Sequence, residues 1–168
     1  MKKVISFLKF IKIILKLDFL YKLPKKKIVV FDHEQKNHDK LLFKPLLNDC
    51  FFLNVRIYNL EYFYINIRIA FITIKNILKG NLNFGSYFAA VITVVNPRVL
   101  ITTIDYSHQF YNVCKILKKS GIRMIAVQRS TRETILYFKK RDLKKIYIPE
   151  YFCFDKNEID LFKQMNVN

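Results

Sequence analysis

Glycine and cysteine are both scarce in this sequence, and each scarcity excludes a class of site. Only 3 of the 168 residues are glycine, which excludes a dinucleotide-binding fingerprint and any glycine-rich loop that cradles a phosphate. The 3 cysteines lie far apart in apolar surroundings, without a C-x-x-C pair or a histidine at ligand spacing. They predict small core side chains in a reducing compartment, not a disulfide or zinc framework.

Acidic residues are also few, so the chain is strongly basic. It has 30 lysines and arginines against 13 aspartates and glutamates, a formal net charge of +17. Such a charge suggests an anionic partner: nucleic acid, an acidic membrane or a phosphorylated sugar. An AT-rich coding sequence would give the same abundance of Lys, Asn, Ile, Phe and Tyr, so charge clusters are more informative than the total. No nucleic-acid-binding signature accompanies the charge, and no nucleic-acid partner is predicted.

Long apolar runs are absent from the N-terminal stretch. Over residues 4–23 a charge interrupts the apolar sequence every few positions, which argues against a membrane-spanning helix and a secretory signal. The pattern predicts a basic amphipathic helix over residues 1–24, which lies on an anionic membrane or packs its apolar face on the domain. Cations within and after it favour the membrane, at about 1 kcal/mol each. The predicted membrane-contact residues are Lys9, Lys12, Lys16, Lys25, Lys26 and Lys27.

The most informative stretch has the pattern of one β-α-β unit. Residues 99–104 and 122–127 are short apolar runs rich in β-branched side chains, as in strands buried on both faces of a parallel sheet. Between them, apolar residues recur at helical spacing from Phe110 to Leu117, and Gly121 stands where a helix would end. This spacing predicts two parallel strands joined by a crossover helix.

The remaining segments follow the same two periodicities. They predict a strand at 28–31, a helix at 38–47, a strand at 54–58, a helix at 61–79, a turn at 80–85, a helix at 86–95, a strand within 146–154 and a helix at 158–165. The helix at 61–79 is apolar over most of its surface and should be buried or covered by a partner. The order β-α-β-α-α-β-α-β predicts one doubly wound α/β domain over residues 25–168, with residues 28–31 as the central strand.

Candidate site residues follow the predicted strand ends, because ligands of open parallel sheets lie beyond those ends. Asp105 is the candidate catalytic residue, since it places a carboxylate directly after the strand predicted at 99–104. The candidate substrate-binding residues are Asp32, His108, Gln128, Arg129 and Arg132. The guanidinium groups of the two arginines suit a phosphate or an acidic sugar. A structural interpretation stays open for each, such as a helix cap for Asp105 and solvated charges for the arginines.

A metal site at the end of the first strand is the less favoured interpretation. Asp32, His33 and Glu34 are consecutive, and adjacent residues at a strand end point in opposite directions. A polar loop with an N-capping acid is therefore expected there.

Four stretches together resemble one known family. They are residues 28–32, residues 96–105 with Phe110 and Tyr111, residues 122–132, and residues 151–154 leading into 159–161. They are similar to bacterial surface carbohydrate biosynthesis proteins, which look like two-domain GT-B glycosyltransferases, with a pattern of roughly P-k-x-x-I-T-x-I-D-N, then F-y, then I-x-x-Q-N-G-x-R. Asp105, Gln128 and Arg132 match it, whereas Tyr106 replaces an Asn and Arg129-Ser130 replaces Asn-Gly.

The resemblance covers most of residues 28–168, but only the N-terminal half of such an enzyme. It implies a Rossmann-like domain on the acceptor side of glycosyl transfer in capsule or lipopolysaccharide synthesis, as part of a split or truncated enzyme that is incomplete alone. The implied ligands and partners are a sugar or phosphosugar, a sugar nucleotide as co-substrate without a further cofactor or metal, and a partner chain supplying the C-terminal half. The implied location is cytoplasmic, on the inner face of the plasma membrane.

The alternative is a noncatalytic membrane-peripheral binding protein. It would dock on a membrane or a partner subunit through the basic helix and the apolar residues 62–78.

Overall fold

The computed structural model describes residues 18–33, 36–56, 62–128, 147–154, 156 and 159. The strands in these ranges are β1 (Asp18–Leu20), β2 (Ile28–Phe31), β3 (Cys50–Leu53), β4 (Tyr62–Tyr64), β5 (Val99–Thr102), β6 (Arg123–Val127) and β7 (Glu150–Phe152). The helices are α1 (Lys36–Leu42), a 3₁₀ helix (Lys44–Asp49), α2 (Ile67–Leu78), α3 (Phe84–Val95) and α4 (His108–Ile116). No helix in these ranges is long and apolar enough to cross a bilayer.

The main sheet has five parallel strands in the order β3-β2-β5-β6-β7. The expected α/β architecture, a parallel sheet flanked by helices, is therefore confirmed. The chain starts the sheet at β2, adds β3 on one side and then crosses back to add β5 on the other, so the winding direction reverses between β2 and β5. The middle position is occupied by β5, which corrects the expectation that residues 28–31 are central.

The predicted β-α-β unit is present as β5, α4 and β6. Val99 pairs with Arg123 and Thr102 with Ala126, in parallel register. Strand burial explains the sequence pattern: Val29, Val30 and Phe31 are consecutive in β2 and at most 1% exposed, so both faces of the sheet are covered there. Continuous apolar runs are the composition that such strands require.

One hydrophobic core joins the sheet to α3 and α4. Leu100 of β5, Ile92 of α3 and Phe110 of α4 are fully buried in it. Phe31 contacts both helices through aromatic side chains, with ring centroids 6.0 Å from Phe88 and 5.7 Å from Phe110. Burying each such side chain contributes about 1.5–3 kcal/mol, so this layer fixes β2 and β5 and the residues that follow them.

The N-terminal helix prediction is wrong where the structure describes that segment. Residues 18–20 form β1, which pairs in parallel with β4, and the amide of Ile65 donates to the carbonyl of Leu20 at 2.9 Å. The Phe19 and Phe63 rings pack edge to face at 6.1 Å. Pairing with a segment more than 40 residues away therefore overrides the local helical periodicity. Residues 1–17, with Lys9, Lys12 and Lys16, lie outside the described residues.

Two further element boundaries differ from those predicted. The second strand of the main sheet is Cys50–Leu53, and residues 54–56, the described part of the strand predicted at 54–58, follow its end. The unbroken apolar run Cys-Phe-Phe-Leu suits a strand buried on both faces. The helix predicted at 61–79 begins only at Ile67, where the Asn66 side chain accepts from the Ile69 amide at 2.9 Å and caps it. Residues 62–64 before it form β4.

The other helix predictions are close to the structure. The helix predicted at 38–47 is divided into α1 and the 3₁₀ helix, since Pro45 lacks an amide hydrogen and begins a new turn. The turn predicted at 80–85 is shorter, because Phe84 already begins α3. Asn96 ends α3 in the left-handed conformation, with φ at 56°, as expected for the Asn-Pro stop. Most of the helix predicted at 158–165 lies outside the described residues.

Candidate functional site

Buried polar side chains concentrate at the carboxyl edge of the main sheet. Of the buried polar or charged residues in the described ranges, all but Ser86 lie at the ends of β2, β5 and β6 or on the helices that follow β2 and β5. We call this set the carboxyl-edge cluster: Asp32, His33, Asp39, Thr102, Thr103, Asp105, Ser107 and Gln128. Buried polar groups are costly unless hydrogen-bonded, so their partners define what the cluster can do.

The centre of the cluster is a His33–Asp39 pair. Nδ1 of His33 lies 2.8 Å from Oδ2 of Asp39, and the Thr103 hydroxyl donates to Oδ1 of Asp39 at 3.2 Å. The carboxylate only accepts, so Nδ1 of His33 carries the hydrogen, and in the neutral ring Nε2 keeps its lone pair. The pair joins the end of β2, the first turns of α1 and the end of β5. A histidine oriented in this way by a buried carboxylate can act as a general base.

Asp32 precedes this pair and has a different partner. Its Oδ1 accepts from Nε of Arg56 at 3.0 Å, in an ion pair that is buried on the aspartate side and one-third exposed on the arginine side. The backbone of Asp32 is left-handed, with φ at 60°, a conformation that aspartate tolerates better than most residues. This left-handed conformation turns the chain at the end of β2 and directs His33 toward α1.

Asp105, the predicted catalytic residue, is 2% exposed and is held from two sides. The Tyr151 hydroxyl donates to its Oδ2 at 2.6 Å, and the Tyr111 hydroxyl donates to its backbone carbonyl. These contacts connect the end of β5 to β7 and α4. The geometry suits a residue that fixes the shape of the edge.

Gln128 lies at the same edge, through contacts with the end of β7. Its main-chain amide donates to the Phe152 carbonyl at 2.8 Å, and its side-chain Oε1 accepts from the main-chain amide of Phe154 at 3.0 Å. Tyr151, the partner of Asp105, is in the same strand end. The predicted placement of Asp105 and Gln128 on one edge of a parallel sheet is therefore confirmed.

The other predicted site residues are spread more widely. His108 begins α4 and is exposed, with its ring 6.0 Å from that of Tyr111. Arg129 and Arg132 lie outside the described residues.

The lysine cluster that precedes β2 lies at the opposite, amino edge of the sheet. Lys25 donates to the Val94 carbonyl at 3.1 Å, Lys26 donates to the Asn48 carbonyl, and Lys27 pairs with Asp49 at 3.1 Å. Each of these three lysines therefore contacts another residue of the domain.

No group of three metal-ligating side chains lies close together in the ranges that the structure describes. Asp32 and His33 are adjacent but bind different partners, Arg56 and Asp39. Glu34 lies outside the described residues.

The sequence analysis missed Asp39, Thr103 and Tyr151, and it considered His33 only in the metal site that it disfavoured. Thr103 and Asp39 are 64 residues apart, and no periodicity relates them. One weak signal existed, since His33 and Asp39 have the spacing of a short loop followed by one helical turn. Such a spacing also occurs between solvated residues, so only the tertiary fold distinguishes it.

Comparison with family models, curated proteins and solved structures finds no match to this chain. The class of the protein therefore follows from fold and site alone. It is a parallel α/β protein with a buried polar site at the carboxyl edge of its sheet, where the winding direction reverses.

Proposed function

We propose that this chain is the acceptor-side half of a GT-B-like glycosyltransferase of bacterial surface polysaccharide biosynthesis. The sugar nucleotide would be bound by a second domain or a partner chain. The family resemblance of the strand ends motivates the proposal, and the His33–Asp39 pair at the reversal between β2 and β5 supports it most directly. Open parallel sheets bind their ligands at this position.

The proposed chemistry assigns the base to His33. The acceptor hydroxyl oxygen attacks the anomeric carbon of the donor sugar, and the nucleoside diphosphate leaves with the electron pair of the broken carbon–oxygen bond. Nε2 of His33 takes the hydroxyl proton, while Asp39 stabilises the imidazolium that forms. Thr103 keeps the Asp39 carboxylate oriented through its 3.2 Å hydrogen bond.

The residues predicted from the sequence take supporting roles in this proposal. Asp105 and Gln128 position the edge through their contacts with residues 151–154. Asp32 orients Arg56, whose guanidinium is one-third exposed and suits a phosphate or an acidic sugar. Arg129 and Arg132 are proposed for the same ligand, and His108 for the exposed side of the acceptor. Membrane association on the cytoplasmic face would bring lipid-linked acceptors to the edge.

The test is saccharide binding to the full chain, measured by ligand-observed NMR with monosaccharides, sugar phosphates and sugar nucleotides. Binding of the saccharide part is expected in the unsubstituted chain and is expected to be lost in His33→Gln and Asp39→Asn. Glu150→Gln is the matched control, because it also converts a carboxylate to an amide but lies at the amino edge, paired with Arg123. With a donor-binding partner present, His33→Gln should lower the transfer rate by about 10²–10⁴-fold.

The same experiment has outcomes that would reject the proposal. One is the absence of any saccharide signal from the unsubstituted chain. The other is unchanged binding in His33→Gln and Asp39→Asn, verified as folded by circular dichroism.

A noncatalytic interaction protein is the second candidate function. The observation that favours it is the burial of the carboxyl-edge cluster, whose members are at most 6% exposed. In that case the His33–Asp39 pair would stabilise the fold, and both substitutions would lower stability without any change in ligand binding.

A further inference from the structure

Helix α2 leaves one apolar face uncovered. Ile67, Phe71, Ile74 and Leu78 are 87%, 68%, 56% and 82% exposed. Their spacing of four, three and four residues places them on one side of the helix, and we call them the α2 stripe. Of the two alternatives predicted for this helix, burial in the domain and cover by a partner, burial does not apply to this face. Contiguous apolar surface of this kind marks an interaction site in a folded protein.

The opposite side of α2 is fixed to the domain, so the stripe has a defined orientation. Ile69 is 2% exposed and belongs to the core that includes α3. The Asn76 side chain donates to the Ser86 carbonyl at 3.3 Å, and the Asn66 side chain donates to the Tyr21 carbonyl at 3.2 Å. Repacking α2 to hide the stripe would break these contacts.

Exposed aromatic and aliphatic side chains extend the surface beyond the N-terminal end of α2. The residues are Phe19, Tyr21, Tyr62 and Ile65, which are 46%, 70%, 44% and 39% exposed. They belong to β1, β4 and the segments that follow these paired strands. Aromatic rings of this kind favour the boundary between lipid and water.

Cations flank the stripe on one side. Arg68, Lys75 and Lys79 are exposed and lie along one flank of α2, at spacings of seven and four residues. The sequence has no aspartate or glutamate from residue 62 to residue 104. The surface therefore combines exposed apolar side chains with positive charge that no neighbouring residue in the sequence neutralises.

We propose that the α2 stripe and its cationic flank form a docking surface for a membrane that contains anionic lipids. An apolar helix face bordered by arginine and lysine can lie in the headgroup region of such a membrane. A second copy of this chain fits less well, because a symmetric contact would bring the cations of α2 together. The inference does not rest on the proposed glycosyl transfer. It narrows the docking region predicted at residues 62–78 to named side chains and to one occupant, and these side chains are distinct from the lysines predicted for membrane contact.

The test is flotation of the full chain with phosphatidylcholine vesicles that either contain or lack phosphatidylglycerol. The unsubstituted chain should float with the anionic vesicles, and Phe71→Ser combined with Ile74→Ser should abolish this. Leu41→Ser combined with Leu42→Ser is the matched control, since these residues are 69% and 55% exposed but belong to α1. Replacing Arg68, Lys75 and Lys79 by glutamine should weaken binding to the anionic vesicles about a hundredfold.

Several results would overturn the proposal. Failure of the unsubstituted chain to float with anionic vesicles is one, and equal losses in the stripe variant and the α1 control are another. Unchanged flotation of the stripe variant would assign membrane binding to another segment. A concentration-dependent dimer that the stripe substitutions dissociate, without an effect of lipid, would identify a second copy as the occupant. Vesicle binding and saccharide binding are separate measurements, so either proposal can fail alone.

Discussion

Asp39 is 1% exposed, and each of its carboxylate oxygens accepts a hydrogen bond from the carboxyl-edge cluster. A buried carboxylate without donors would be strongly destabilising, whereas one that is satisfied locks its neighbours in place. The residue therefore connects stability with the proposed chemistry. Changing one donor at a time separates the two contributions.

Thr103→Val should destabilise the fold by about 1–2 kcal/mol, because it replaces a hydroxyl that donates to a buried carboxylate with a methyl group of similar size. Urea unfolding followed by circular dichroism measures the change. Thr93→Val is the control: the Thr93 hydroxyl donates at 2.7 Å to the uncharged Ala89 carbonyl within its own helix, so a smaller cost is expected. Equal costs at the two positions would contradict a special role for the Thr103 hydroxyl.

Glu150→Gln should remove part of the pH dependence of stability at low pH. Hydrogen bonds from Arg123 lower the pKa of Glu150 from its ordinary value of 4.5. Because the folded-state pKa is depressed, the stabilisation is present above pH 4.5 and is lost as the pH falls through the folded-state value. Urea midpoints at neutral pH and well below pH 4.5 should therefore differ less in the variant than in the unsubstituted chain.

The effect at Glu150 should be small, since the Arg123 side chain is 59% exposed and the Glu150 side chain 35% exposed to solvent. Arg123→Gln should flatten the same part of the pH profile, because the shift requires both side chains. A variant profile parallel to that of the unsubstituted chain would contradict the assignment.

At the scale of elements, the sequence predicted best where one pattern excluded the others. The short β-branched runs of β5 and β6 and the helical spacing of α4 have no competing interpretation, and the structure contains all three. The N-terminal stretch had both helical spacing and enough apolar residues for a strand. Its pairing with β4 depends on a distant segment, which local periodicity does not report.

Gly85→Ala should destabilise the protein, against the usual gain of about 0.8–1 kcal/mol when alanine replaces glycine in a helix. A Cβ at residue 85 would lie 2.9 Å from the Asn112 Cβ and 2.6 Å from the Asn83 Oδ1. The Asn83 side chain can move, but Asn112 belongs to α4, so α3 and α4 would have to separate. Overpacking of this kind costs about 1–3 kcal/mol, and urea unfolding gives the sign.

A double substitution tests the cause of that loss. Asn112→Gly removes the Cβ that an added methyl group would meet, so Gly85→Ala with Asn112→Gly should cost less than the sum of the single changes. Additive costs, or a net stabilisation by Gly85→Ala alone, would show that the helices tolerate the methyl group.

At the scale of the whole molecule, the site was only half predictable. The shared edge of Asp105 and Gln128 follows from parallel strand topology, which apolar runs and a crossover helix reveal. The His33–Asp39–Thr103 contacts require α1 to return over the end of β2 and β5, and no sequence pattern encodes that distance. The sequence therefore predicts which segments lie at the edge of the sheet. The contacts between side chains of different segments depend on how the core packs, which the sequence pattern does not show.

Thiol reactivity should report the integrity of the whole fold. Burial raises the pKa of both Cys50 and Cys114. Because a raised pKa lowers the fraction of each thiol that is present as the reactive thiolate, both should react slowly. Cys114 is also fully buried in the core. Half-buried Cys153 should react first with a disulfide reagent at neutral pH. In denaturing urea all three cysteines should react at similar rates. Rapid native labelling of Cys114, identified by mass spectrometry, would contradict the described core.

The left-handed turn at Asp32, which ends β2, also determines which groups can contact a ligand there. The Leu53 carbonyl accepts from the amides of both Asp32 and His33, at 3.0 and 3.5 Å. In dinucleotide-binding proteins with doubly wound sheets, main-chain amides at the first strand-to-helix turn face the pyrophosphate. Here these two donors already face the neighbouring strand, so an oxyanion arriving at residues 32 and 33 would be held by guanidinium groups instead of the main chain.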